Sequence, residues 1–153
     1  MSKIEKRLQE LDLELPVQPP AGKLLPVKQV GKLLFVGGHG PEQNGEPVYI
    51  GRVGAEVSLE EGYEAAKLCG LNCLARLKEY LGALDRIDEI VKVLGFVNSD
   101  PDFHQQPAVM HGFSDLMIQV FGEKGRHARS AIGTSNLPDN QAVEVEMIVT
   151  VRD

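Results

Sequence analysis

Hydrophobic positions recur along this chain at two periods, and the switches between them predict its elements. In residues 2–13, Ile4, Leu8 and Leu11 fall at steps of four and three, which predicts a short surface helix. Residues 16–22 hold three prolines and predict an extended connector. Residues 24–30 and 32–36 flank Gly31 and predict two strands joined by a tight turn. Gly37-Gly38-His39-Gly40-Pro41 then ends the alternation, and residues 43–49 read as a loop or a weak strand.

The clearest helix begins after Ser58. Ser58 and Glu61 match a capping box, in which hydroxyl and carboxylate each satisfy an otherwise unpaired backbone N–H. Leu59, Tyr63, Ala66, Gly70, Cys73, Leu77 and Tyr80 form one apolar stripe that runs to about Leu81. Gly62 and Gly70 each weaken a helix by about 1 kcal/mol against alanine, so close packing against a strand is expected there. Residues 90–97 predict a strand that is apolar on both faces. Residues 103–121 predict a second helix, starting after Pro107 because proline is tolerated in a first turn and not in mid-helix. Residues 128–133 and 143–151 predict the last two strands. The second of these alternates Val143, Val145, Met147, Val149 and Val151 with Glu144, Glu146, Ile148 and Thr150.

That order implies an α+β domain, a mixed sheet with two helices on one face. The other face is the difficulty. The central strand presents Val91, Val93 and Val97 on one side and Leu94 and Phe96 on the other, with no element left to cover the second side. An uncovered apolar sheet face is expected to be an interface, which implies an obligate oligomer.

With 153 residues the chain is expected to form a single domain, 1–153, with residues 1–21 as an N-terminal helix and connector. A formal net charge of −6 gives no electrostatic reason to expect nucleic acid or an anionic membrane as partner. No apolar run reaches the roughly 18 residues of a membrane span, and the N-terminus is too charged for a signal peptide. The cytoplasm is therefore the expected location. Cys69 and Cys73, four apart, share one helix face and read as two small apolar residues in a reduced interior. His104 and His111, seven apart on a helix, would stand about 10.5 Å apart along its axis, too far to share a metal. Neither a metal nor a cofactor is expected.

The C-terminal third carries a more specific signal. Gly-Arg-His-Ala-Arg-Ser-Ala-Ile-Gly at 125–133, Leu137-Pro138 and Val143-Glu144-Val145-Glu146 together resemble the signature of the Rid/YjgF family. Gly22 and Gly31, residues 33–38, Asn72 with Leu77, and residues 100–103 extend the resemblance over about 22–151. The resemblance implies a chorismate-mutase-like fold and a homotrimer, its sheets forming a barrel-like core with a small pocket at each subunit boundary. It also implies hydrolysis of reactive enamines and imines to keto acids and ammonia.

Arg129 matches the family's carboxylate-binding arginine, a role that suits a guanidinium because its donors form a rigid fork. Periodicity alone would instead make it an ion pair with Glu144 or Glu146 on a neighbouring strand. Glu144 matches the acid that holds or activates water, and a carboxylate can orient water against a polarised C=N carbon. Without the resemblance, Glu144 and Glu146 read as a solvated strand edge. Gly38 matches a corner that lends its backbone N–H to the ligand; the plain alternative is a turn. His127 shares the strand face of Arg129 and is placed at the pocket mouth, while His39 sits at the glycine corner.

The chain departs from the family pattern at four polar positions. Leu24 stands for a tyrosine, Gly37 for a serine, Ala131 for a cysteine, and the helix asparagine is replaced around Pro107. The expected activity is deamination of small 2-imino or enamine acids, with Arg129 and Glu144 catalytic and Gly38, Leu24, Ala131 and His127 lining the substrate. The competing reading is a trimer that binds a small carboxylate without chemistry. Endoribonuclease and chorismate mutase activities are further alternatives.

Overall fold

The computed structural model describes residues 2–153. Helix α1 (Lys3–Glu10) starts from a capping box between Ser2 and Glu5, and its first N–H groups are also met by Asp85, whose carboxylate accepts from Ile4 N at 2.8 Å. Leu8 is buried, with Ile4, Leu11, Leu13 and Leu15 packed against the core. The helix ends earlier than expected because Asp12 adopts a left-handed backbone (φ 57°).

Strands β1 (Val27–Val30) and β2 (Leu33–His39) form a hairpin with Gly31 at φ 60°, the left-handed region a tight two-residue turn demands. Contrary to the expectation above, the glycines do not end the strand. Strand β2 runs through Gly37 and Gly38 to His39, with a bulge between Val36 and His39 that lets it bend and still pair with the last strand. Residues 42–47 form a two-rung ladder, β3 (Glu42–Gln43) with β4 (Glu46–Pro47).

Helix α2 (Leu59–Leu81) carries the predicted Ser58–Glu61 capping box. It is the most enclosed element: every residue from Leu71 to Leu77 is buried, Asn72 and Arg76 included. Asn72 earns its place by bonding. It donates to Glu42 O at 2.8 Å and Leu68 O at 3.0 Å and accepts from Gln18 at 2.6 Å, tying connector, ladder and helix together. Cys69 and Cys73 are fully buried free thiols, as their spacing predicts. Gly62 and Gly70 pack against a helix, not chiefly a strand: a side chain at Gly62 would meet Val109, and one at Gly70 would meet Leu116 and Phe113. Those residues belong to α3 (Gln106–Phe121), which has Pro107 in its first turn.

The main sheet has the order β1-β2-β7-β5-β6, from β5 (Ile87–Asn98), β6 (Ala128–Thr134) and β7 (Val143–Val151). Only β5 and β6 are parallel, joined through α3; the other pairs are antiparallel. The mixed α+β sheet with its helices on one face is thus as expected. One detail of parity differs. A bulge between Ile90 and Lys92 makes Ile90 and Val93 both buried, so Val91 turns out to the opposite face and is 37% exposed.

That opposite face stays open. It carries Val30, Leu33, Phe35 and Ile132, each more than one-third exposed, with Leu94, Phe96 and Ile148 between them. A cleft of about 220 Å³ lies there among Phe35, Lys92, Leu94, Glu146 and Ile148. So large a row of apolar side chains, drawn from all five strands, is of the kind that marks an interaction site.

Candidate functional site

Register decides which side of the sheet each expected site residue serves. Arg129 aligns with Val93, whose side chain is buried under the helices, and Glu144 aligns with Phe96 on the open face. Side chains alternate along these unbulged stretches, so Arg129 and Ala131 face the helices while Glu144, Glu146 and Ser130 face away. The two expected catalytic residues therefore lie on opposite faces of one sheet. Strand β5 separates β6 from β7, which removes the expectation that Arg129 pairs with Glu144 or Glu146 on an adjacent strand.

Arg129 is partly buried beside α3. Its Nη1 donates to Ser114 Oγ and to His111 Nδ1, each at 3.1 Å, and among the described residues no carboxylate forms an ion pair with it. Burial pulls its pKa down and the nearby Asp115 acts the other way. Asp115 itself accepts from Tyr63 Oη at 2.6 Å, a bond that pushes the Tyr63 pKa up to about 12. The guanidinium thus sits partly shielded from solvent without a direct ion-pair partner among the described residues.

His127, immediately ahead of β6, also lies in this cluster. Its Nε2 lies 2.9 Å from Ser114 Oγ, its Nδ1 2.7 Å from Gly125 O, and its ring meets Phe113 edge-on at 6.3 Å. Burial pushes its pKa down, with Arg129 adding to the effect against the Gly125 bond. His104 lies in the exposed turn before α3 rather than on the helix, so the axial spacing expected between it and His111 does not apply.

The second group of residues gathers where β2 pairs with β7. Glu144 is partly buried, and its carboxylate lies directly over Gly38, where any side chain would collide with it. Burial raises the Glu144 pKa and the neighbouring Glu146 raises it further. His39 bonds Gly37 O through Nδ1 at 2.7 Å; its pKa is lowered by burial, with Arg76 adding to this. Leu24 precedes β1 and is 79% exposed, which leaves it on the surface of a single chain.

No group of three or more metal-ligating side chains occurs among the described residues. Nor is any described helix long and apolar enough to cross a membrane. Sequence reasoning named Arg129, His127, Glu144 and Gly38 but missed Ser114 and weighed His111 only as a metal ligand. The one available signal was their spacing of three on α3, which puts both on the face that meets β6.

Comparison with known proteins gives this arrangement a context. Residues 5–150 match the family model described as "YjgF/chorismate mutase-like, putative endoribonuclease". Protein TCP17 of Trypanosoma cruzi is 38% identical over 153 residues, covering 99% of this chain and 96% of its own. A crystal structure of a protein of unknown function from Agrobacterium tumefaciens is 41% identical with a TM-score of 0.91, over 97% of this chain and 93% of that one. A Shewanella oneidensis structure that carries an endoribonuclease name is 34% identical with a TM-score of 0.93, over 98% and 100%.

Proposed function

We propose that this chain, which belongs to the YjgF/chorismate-mutase-like family, hydrolyses small 2-imino or enamine acids to keto acids and ammonia. The site is a pocket shared between copies in a homotrimer. The observation that carries the reading is Arg129, a partly buried guanidinium with no carboxylate partner among the described residues. A 2-imino acid supplies that missing carboxylate and holds its C=N carbon one bond away.

Arg129 and Glu144 lie on opposite faces of one sheet, so a pocket that uses both draws them from different copies. Strand β6 is a sheet edge and the open face is apolar, which supplies the surfaces for such an assembly. Within it, Arg129 anchors the carboxylate and the Gly38 corner brings a backbone N–H close to the Glu144 carboxylate. Glu144 in its ionised form orients the attacking water and takes its proton as the water adds to the protonated imine to give the carbinolamine. Glu144 then returns that proton to the nitrogen, and collapse of the carbinolamine expels ammonia, sends the hydroxyl proton to solvent and leaves the keto acid. Leu24, Ala131 and His127 shape the remainder of the pocket.

The reading is tested by ammonia release from imines generated in situ by an amino-acid oxidase. Wild type should accelerate release, and Arg129→Ala should lose at least about tenfold in kcat/KM, the scale of one lost hydrogen-bonded charge contact, with the assembly mass unchanged. No acceleration by wild type across a broad panel would instead favour a carboxylate-binding protein without chemistry. Leu24, Gly37 and Ala131, which offer no polar side-chain atom to a reacting group, are what support that second reading. The net charge of −6 argues against RNA as the substrate.

Glu144 makes the pH dependence specific. Its raised pKa keeps it protonated to a higher pH than an ordinary glutamate, so the rate should begin to fall at a higher pH on acidification than an ordinary glutamate would allow. Glu146→Gln removes one of the two causes. The acidic limb of the kcat/KM profile should therefore move to lower pH in that variant; an unmoved or rising limb would take Glu144 out of the proton transfer.

A further inference from the structure

Arg129 is held from one side only, and donor logic fixes every proton in what holds it. Arginine can only donate, so His111 Nδ1 and Ser114 Oγ, each 3.1 Å from Nη1, must both accept. Acceptance by Nδ1 puts the His111 proton on Nε2, on the far side of an exposed ring. Ser114, having accepted, has its own proton to give. Its one further partner among the described residues is His127 Nε2, at 2.9 Å. His127 Nδ1 must then carry the proton that meets Gly125 O at 2.7 Å. The bonds thus run in one direction, from Arg129 through Ser114 and His127 to a backbone carbonyl.

Both Nη1 hydrogens are used, while Nε and Nη2 have no acceptor among the described residues. The Nε–Nη2 edge presents two parallel N–H groups, a match for the two oxygens of a carboxylate. Ser114 is not a nucleophile in this arrangement. It is 9% exposed, lies in mid-helix, and has a partner for both its hydrogen and its acceptor side.

We propose that Ser114, His127 and His111 are positioning residues that lock Arg129 through Nη1, so that its Nε–Nη2 edge meets the ligand carboxylate. The proposal rests on the carboxylate-binding role of Arg129 given above and specifies how the role is carried out. A free arginine side chain has much rotamer freedom to lose on binding; a guanidinium anchored beforehand has already lost it. His111 contributes by accepting one Nη1 hydrogen, so that the guanidinium cannot turn about its Cζ.

Two measurements test this. Pyruvate and its uncharged analogue pyruvamide are titrated into the intact assemblies of wild type, Ser114→Ala, Ser114→Thr and Arg129→Ala. Wild type should prefer pyruvate; Ser114→Ala should weaken pyruvate by about tenfold, the scale of a bond to a charged group, leave pyruvamide unchanged, and be rescued by Ser114→Thr. Undiminished pyruvate affinity in Ser114→Ala, or equal weakening of both probes, overturns the positioning role while Arg129 keeps its own. If Arg129→Ala retains the preference for pyruvate, or wild type has none, the carboxylate anchor itself fails and the proposal goes with it. The second measurement needs no ligand. Imidazole ¹⁵N shifts should place the His127 proton on Nδ1 in wild type and lose that fixed tautomer in Ser114→Ala; an Nε2–H tautomer in wild type overturns the relay.

Discussion

Gly112→Ala should lower the stability of the fold by about 2 kcal/mol, although alanine is the better helix former by about 1 kcal/mol. Gly112 of α3 lies against the Tyr63 carbonyl of α2, and an added Cβ would overlap it. The obstacle is backbone, held in a helix, so no rotamer change relieves it; the helices must separate or the contact must break. Overpacking of this kind costs roughly 1–3 kcal/mol, and the rigid obstacle puts Gly112 at or above the upper end. Gly62→Ala is the matched control. The nearest atoms its Cβ would meet are side-chain methyls of Val109 and Val53, at 3.2–3.3 Å, which can give by a few tenths of an ångström. Urea unfolding of the two variants should show a large fall in midpoint for Gly112→Ala and little change for Gly62→Ala, with equal slopes. Equal midpoints would mean that the helix crossing is softer than its geometry implies.

Phe35→Glu should leave each chain folded and abolish the assembly, and the proposed ammonia release with it. Phe35 is 41% exposed on the open face and lines the cleft with Ile148, Leu94 and Glu146. In a single chain the substitution costs little, because the position is already part-solvated. In an assembly built on this face it buries a new carboxylate near Glu146, with Lys92 as the nearby cation lining the cleft. Burying an unpaired charge costs several kcal/mol per copy, a penalty repeated at every equivalent position. Sedimentation or light scattering should report the monomer mass, and circular dichroism an unchanged fold. An intact oligomer would show that the copies meet elsewhere. Retained activity in a true monomer would overturn the shared pocket, since the open-face Glu144 and helix-face Arg129 would then have to act from one chain.

The elements were legible where side-chain period and backbone chemistry agreed. Strand β7 shows its alternation without a break and was located to the residue, as was the start of α2 from Ser58 and Glu61. The Gly37-Gly38 stretch misled because glycine carries no side chain to continue a pattern; pairing with β7 extends the strand regardless. The bulge after Ile90 is invisible for a similar reason. Ile90, Val91 and Val93 are all apolar, so shifting the parity leaves the hydrophobic pattern unaltered.

The site was half legible. A family signature carries Arg129 and Glu144, but strand order is a tertiary fact, and it was the insertion of β5 between β6 and β7 that ruled out the alternative of an ion pair between them. Ser114 and His111 gave no motif at all. Their meaning comes from the parallel β5–α3–β6 connection, which lays one face of α3 along the edge strand that bears Arg129.

The sheet order has a consequence for how the molecule is made. Strand β7 comes last along the chain yet sits in the middle of the sheet, between β2 and β5. As the chain leaves the ribosome, the β1–β2 hairpin and the β5–α3–β6 unit can each form, but no strand joins them into one sheet until residues 143–151 emerge. Until then β2 and β5 each expose an unpaired edge, the kind that invites wrong partners. The closing of this fold is therefore a single late event with large loop-closure cost, and its timing, rather than the intrinsic stability of any one element, sets how long the nascent chain is at risk.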